Sequence, residues 1–246
     1  MTSTETMLVL PSHGTGDLQG QAAIRALVDA VADRVAAPVL DCFVDVQQPD
    51  VPTTLADAPG TSPLIIVPLL LSTGYHVRVD IAEAAQSIAP RPTLVTPALG
   101  PDDRLIDVLA VRLREAGLRD DDQVVLAAAG SSDPDAVADC ESVAAALGSR
   151  LGREVTVGFL ASAEPRLDAA IQAARDAHPE RRVAVATYLL APGFFARLAA
   201  AADSDLITAP LLQAERPPAQ ELVDLVIDRY SQAAQALSQL PATGGR

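Results

Sequence analysis

The chain has 246 residues, of which 49% are hydrophobic and 3% aromatic with no Trp, so a sizeable core must be filled by Ala, Val and Leu. Its formal net charge is −14 and all 18 basic residues are Arg, which argues against a nucleic-acid partner and leaves no lysine for a Schiff base or a phosphate loop. No apolar run reaches the roughly 18 residues of a membrane helix, the opening residues lack a signal peptide's positive region, and the distant Cys42 and Cys140 suggest neither a zinc site nor a disulfide. A cytoplasmic protein with no membrane association is expected.

In chain order, Met7–Ser12 reads as a strand followed by the loop His13-Gly-Thr-Gly-Asp17, and Gln21–Ala36 carries Ile24, Leu27, Val28, Val31 and Val35 at helical spacing. Pro38–Asp45 predicts a second strand and Pro63–Leu71 a third, buried on both faces. That run stops at Ser72-Thr73-Gly74, and Tyr75, His76, Arg78 and Asp80 follow. A helix over 82–88, a strand over 93–96 and an amphipathic helix over 103–116 come next. The pattern then restarts, with strands at 123–130, 154–160, 182–190 and 206–209. They alternate with helices at 135–151, 167–177, 194–201 and 219–237, and residues 241–246 read as a frayed tail. Strands alternating with helices predict an α/β fold with a mainly parallel sheet in each half.

The restart is a duplication. A shift of 116 positions lays Gly14 on Gly130, Leu8-Val9-Leu10 on Val124-Val125-Leu126, Asp17 on Asp133, Phe43 on Phe159 and Pro49 on Pro165; with three residues inserted, Leu70, Gly74 and Arg78 fall on Leu189, Gly193 and Arg197. Two lobes, 1–118 and 119–246, with a cleft between them are expected. The differences between copies point to a site in the first lobe. His13 faces Ala129, Asp45 faces Ala161 and His76 faces Phe195. Each polar residue stands at or just past a strand's carboxyl end, where open parallel sheets bind ligands. Two imidazoles and a carboxylate suit a divalent transition metal and also proton removal near neutral pH. The plainer alternatives are a helix-starting His76 and an Asp45 that only caps a turn.

Rival motifs are weaker. Gly14-Thr-Gly-Asp-Leu-Gln-Gly20 has its third glycine one position late for a dinucleotide loop. Ser12 and His13, adjacent in extended chain, point to opposite sides and do not form a nucleophile pair. His178, at a helix end, fits a cation favoured by the dipole, and Cys42 fits a core filler.

Together, Leu-Pro-Ser-His13-Gly-Thr, Phe43-Val-Asp45 and Pro68-Leu-Leu-Leu-Ser-Thr-Gly-Tyr-His76-Val-Arg-Val-Asp80 resemble the sirohydrochlorin chelatases, the class II tetrapyrrole metal chelatases, in their long two-lobed form. The resemblance spans essentially the whole chain, including Gly130-Ser-Ser-Asp-Pro and Leu190-Ala-Pro-Gly-Phe-Phe in the degenerate half. It implies ATP-independent insertion of cobalt or iron, with nickel as a further candidate, into a tetrapyrrole of siroheme or cobalamin synthesis. The metal is then a substrate, and no resident cofactor is expected. His13 and His76 become metal ligands or proton acceptors. The family's usual third carboxylate, a Glu, is here Asp45, one methylene shorter. Ser12, Gly14, Ser72, Thr73, Gly74, Tyr75, Arg78, Phe195 and Arg197 become candidates for holding the macrocycle, with the second lobe as the opposite wall. A fused pair supplies both walls, so a monomer is expected. The alternative is a non-catalytic tetrapyrrole or metal carrier on the same fold.

Overall fold

The computed structural model describes residues 6–72, 74 and 79–239. The first half runs β1 (Met7–Ser12), α1 (Leu18–Ala32), β2 (Val39–Phe43), α2 (Val51–Asp57), β3 (Leu64–Ile66), α3 (Asp80–Ser87), β4 (Thr93–Val95) and α4 (Asp103–Ala116). The second runs β5 (Gln123–Ala128), α5 (Pro134–Leu151), β6 (Val155–Phe159), α6 (Leu167–Ala177), β7 (Val183–Tyr188), α7 (Phe194–Ala200), β8 (Leu206–Ile207) and α8 (Gln220–Gln239). The strands form two four-stranded parallel sheets with the same order, β2-β1-β3-β4 and β6-β5-β7-β8. Even the register repeats: Leu8 pairs with Val39, and Val124 pairs with Val155, 116 positions on in each strand.

Most predicted elements sit within a few residues of their observed bounds, and two departures have local causes. The long strand expected over 63–71 is regular only over Leu64–Ile66. Beyond it the chain stays extended, with Val67 N–H donating to Val9 O at 2.9 Å and Leu69 N–H to Pro11 O at 2.8 Å, but Pro11 and Pro68 have no N–H to offer the ladder. Their counterparts, Ala127 and Thr187, pair directly, and β7 runs six residues. Helix α2 is the second departure, absent from the sequence expectation. Asp50 caps it, its carboxylate accepting from Thr53 N–H, and Pro52 stands in its first turn. That cap-then-proline signal was present in the chain.

Alternation along the central strands builds three apolar layers. Leu8 and Leu10 of β1 and Val124, Leu126 and Ala128 of β5 face one continuous core between the sheets, shared with α1, α4, α5 and α8. Met7 and Val9 face α2 and α3, while Val125 and Ala127 face α6 and α7. The last helix of each half crosses over. Helix α4 packs on β7 and β8 of the second sheet, and α8 packs on α1 and β3 of the first. Polar contacts follow the exchange: Arg104 meets Asp228 at 2.5 Å, Arg34 meets Asp224 at 2.6 Å, and the buried Arg112 donates to Leu211 O at 3.0 Å. The two lobes are therefore joined through their cores.

Candidate functional site

All the carboxyl ends of the central strands open on the interlobe side. His13 follows β1 directly and is exposed, and the chain turns at Gly14, φ +88°. Only glycine fits there. A Cβ on Gly14 would meet the carbonyl oxygen of Asp45, and Gly130, φ +89°, lies against the carbonyl of Ala161 in the same way. The loop after β2 clasps the His13 loop: Val44 N–H donates to Ser12 O at 2.8 Å and Asp45 N–H to His13 O at 3.0 Å. Past Asp45, Val46 takes φ +64°, a left-handed conformation uncommon for a β-branched residue. The Asp45 carboxylate accepts from Val46 N–H at 2.7 Å and so supports that turn. The second lobe repeats it at Ser162, φ +55°.

Between the lobes lies a cavity of about 780 Å³, large enough for a sizeable organic ligand. Its first wall carries Ser12, His13, Gly14, Thr15, Gln47, Leu71, Ser72 and Gly74; its second carries Ala129, Gly130, Tyr188, Leu190, Phe194 and Phe195. Despite the net charge of −14, no carboxylate lies among the described lining residues, and His13 is their one titratable base. An anionic ligand thus meets hydroxyl, amide and apolar groups here. Phe194 and Phe195 are in edge-to-face contact, ring centroids 5.6 Å apart, and remain 62% and 36% exposed. Together they present an apolar patch at the cavity. Ser12 Oγ is buried at the wall with no hydrogen-bond partner among the described residues. Cys140 also lines the cavity, but burial pushes its thiol up to about 11, which keeps it protonated and a poor metal ligand near neutral pH. Cys42, pushed up to about 12 by burial, is an inert core thiol.

Of the residues singled out in the sequence, Ser12, His13, Gly14, Ser72, Gly74 and Phe195 come together around this cavity. Asp45 is exposed and does not line it; its carboxylate is turned to its own loop. Arg197 does not line it either. Its guanidinium is ion-paired with Asp17, which also caps α1 by accepting from Gln19 and Gly20 N–H. Thr73, Tyr75, His76 and Arg78 lie outside the described residues, as do residues 240–246. His178 stands at the C-terminus of α6, its Nδ1 3.9 Å from Glu180. Among the described residues no group of three or more His, Cys, Asp or Glu could hold a metal, and no helix is long and apolar enough to cross a membrane.

Among the lining residues not singled out in the sequence are Thr15, Gln47 and Tyr188. Thr15 donates its N–H to Gln47 Oε1 at 2.8 Å. Gln47 was legible in the duplication, because Ala163 stands opposite it. Tyr188, 2% exposed, donates its hydroxyl across the lobes to Leu71 O at 3.0 Å, and burial holds its phenol protonated well above the usual range. Nothing local distinguishes it from a strand aromatic.

A family model described as CbiX matches the chain twice, over residues 7–116 and again over 123–233. A sirohydrochlorin ferrochelatase of Priestia megaterium is 29% identical over 191 residues, covering 74% of this chain and 71% of the relative. One from Bacillus subtilis is 28% identical over 162 residues, 62% of each chain. Among solved structures, SirB from Bacillus subtilis with Fe3+ superposes with a TM-score of 0.76 at 21% identity, covering 96% of this chain and 98% of that one. A CbiX described as the terminal enzyme for siroheme biosynthesis in denitrifying bacteria gives 0.65 at 20% identity, over 92% of this chain and 99% of that one.

Proposed function

The chain belongs to the CbiX family, and from that premise we propose that it is a sirohydrochlorin chelatase, inserting cobalt or iron into the tetrapyrrole without ATP, in the making of siroheme or cobalamin. The observation that carries this reading is the two-faced cavity, with a histidine wall on the first lobe and an apolar, aromatic wall on the second. Inserting a divalent ion releases two pyrrole N–H protons, and the ion must shed water as it enters the ring. A neutral imidazole, with an ordinary pKa near ~6.5, can accept such a proton or hold the ion near pH 7.

His13 is assigned this work, with His76 as its partner by sequence. Asp45, exposed and accepting from Val46 N–H with one carboxylate oxygen, supports the loop that clasps the His13 loop. Phe194 and Phe195 offer an apolar face to the macrocycle, and the described lining residues, which include no carboxylate, spare its carboxylates repulsion in an otherwise acidic protein. The protein works as a single chain in the cytoplasm on this reading, since both walls come from one polypeptide.

The test is a time course of the visible spectrum of sirohydrochlorin with Co²⁺ or Fe²⁺, with and without the protein. Insertion well above the uncatalysed rate, cut by about a hundredfold or more in His13→Ala and in His76→Ala, is expected. Tetrapyrrole binding with no acceleration would make the chain a carrier.

A further inference from the structure

We propose that Gln47 is a positioning residue for the metal-handling loop, acting through the backbone of Thr15 to hold His13 in place. The inference rests on the chelatase reading above. Its ground is a comparison the protein makes with itself. In both lobes the loop after the second strand clasps the loop after the first by backbone bonds: Val44 N–H to Ser12 O and Asp45 N–H to His13 O in one, and Leu160 N–H to Ala128 O and Ala161 N–H to Ala129 O, both 2.9 Å, in the other. A positive-φ glycine seals each clasp against the neighbouring carbonyl. The second lobe therefore builds this loop pair with Ala163 at the position of Gln47, and the fold does not need the glutamine.

The first lobe adds a side-chain bond between the two loops, Thr15 N–H to Gln47 Oε1 at 2.8 Å. Thr15 is two residues past His13, and both it and Gln47 line the cavity. A fourth polar residue thus separates the lobe carrying His13 from its degenerate copy. It reaches the histidine through the chain, on the far side of the flexible Gly14 hinge. Gln21 Nε2 also holds Thr15, donating to its carbonyl at 2.8 Å from α1; without the Gln47 bond the loop loses its side-chain tie to the loop after β2. The imidazole then samples more orientations, and the encounter with the metal is what suffers.

The experiment compares Gln47→Leu, which keeps approximate size but removes the acceptor, with Gln47→Glu, which keeps an acceptor for Thr15 N–H; wild type and His13→Ala are run alongside. The rate is measured against Co²⁺ at saturating sirohydrochlorin and against sirohydrochlorin at saturating Co²⁺, with Tm recorded for each variant. Gln47→Leu should lower kcat/KM for Co²⁺ roughly three- to tenfold, the effect of one lost hydrogen bond. Its tetrapyrrole affinity and Tm should stay near wild type, and Gln47→Glu should recover most of the loss. Three results overturn the inference: Gln47→Leu within twofold of wild type for Co²⁺; a loss falling mainly on sirohydrochlorin, which makes the side chain a macrocycle contact; or a lowered Tm with kcat/KM for Co²⁺ unmoved, which makes it structural. Full activity in His13→Ala would instead sink the chelatase site itself.

Discussion

Gly20 sets two levels of physics against each other. It is the third residue of α1, its N–H capped by Asp17, and glycine in a helix is at most about 1 kcal/mol worse than alanine. Judged locally, Gly20→Ala should stabilise the protein. In the folded chain, however, an added Cβ would fall on the carbonyl oxygen of Pro192 in the second lobe, with Thr15 Cγ2 at 2.9 Å and Pro192 C at 3.3 Å. Pro192 is backbone in the loop that leads into α7, so the obstacle is not a flexible side-chain end. Restoring a normal C···O separation of about 3.3 Å needs a retreat of roughly 1 Å, shared between α1 and a loop packed against a continuous core. Overpacking of this kind costs about 3 kcal/mol at the upper end of its range. Subtracting the helix gain leaves a net loss of about 2 kcal/mol, or a Tm lower by about 4–8 °C for a chain of this length. Thermal unfolding followed by circular dichroism measures this. Because Thr15 and Pro192 both line the cavity, activity should fall as well. A Tm raised by the substitution would refute the close lobe-to-lobe approach.

Three further outcomes are expected. Asp17 is held below the ordinary carboxylate range first by the Gly20 N–H and further by Gln19 N–H and the Arg197 guanidinium; a depressed folded pKa gives stability that is present above the unfolded value of 3.8 and lost as pH falls through the folded one. The Tm gap between wild type and Asp17→Ala should therefore be full at neutral pH and close in acid, and a gap independent of pH would show that the carboxylate's charge is not involved. Phe195→Ala should weaken sirohydrochlorin binding roughly two- to tenfold with the Co²⁺ dependence of the rate nearly unchanged, whereas Arg197→Ala, tied to Asp17 outside the cavity, should act mainly on Tm; a shifted metal dependence in either would bring the second lobe into the metal site.

What the chain determined by itself is whatever repeats or alternates along it. Apolar residues on both faces of β1 and β5 specify buried parallel strands, because such strands have no solvent side. Gly14 and Gly130, 116 positions apart, announce the same positive-φ turn twice, since any Cβ there would strike the adjoining carbonyl. Ala129 standing opposite His13 pointed to the first lobe in the same way: a scaffold retained while polar side chains vanish is a comparison internal to one sequence. Tertiary structure decided what depends on residues far apart in the chain. The exchange of α4 and α8 between sheets arises because each amphipathic helix buries its apolar face wherever a facing sheet is uncovered, and its own periodicity does not say which sheet. That Arg197, read as placed for a ligand carboxylate, is ion-paired with Asp17 depends on folding bringing residues 180 positions apart together. Likewise the chain does not announce that one carboxylate oxygen of Asp45, read as a third ligand or base, accepts from Val46 N–H at a left-handed turn. The cavity, free of carboxylates among its described residues in a chain of net charge −14, is a property of which faces meet, and composition alone has no access to that.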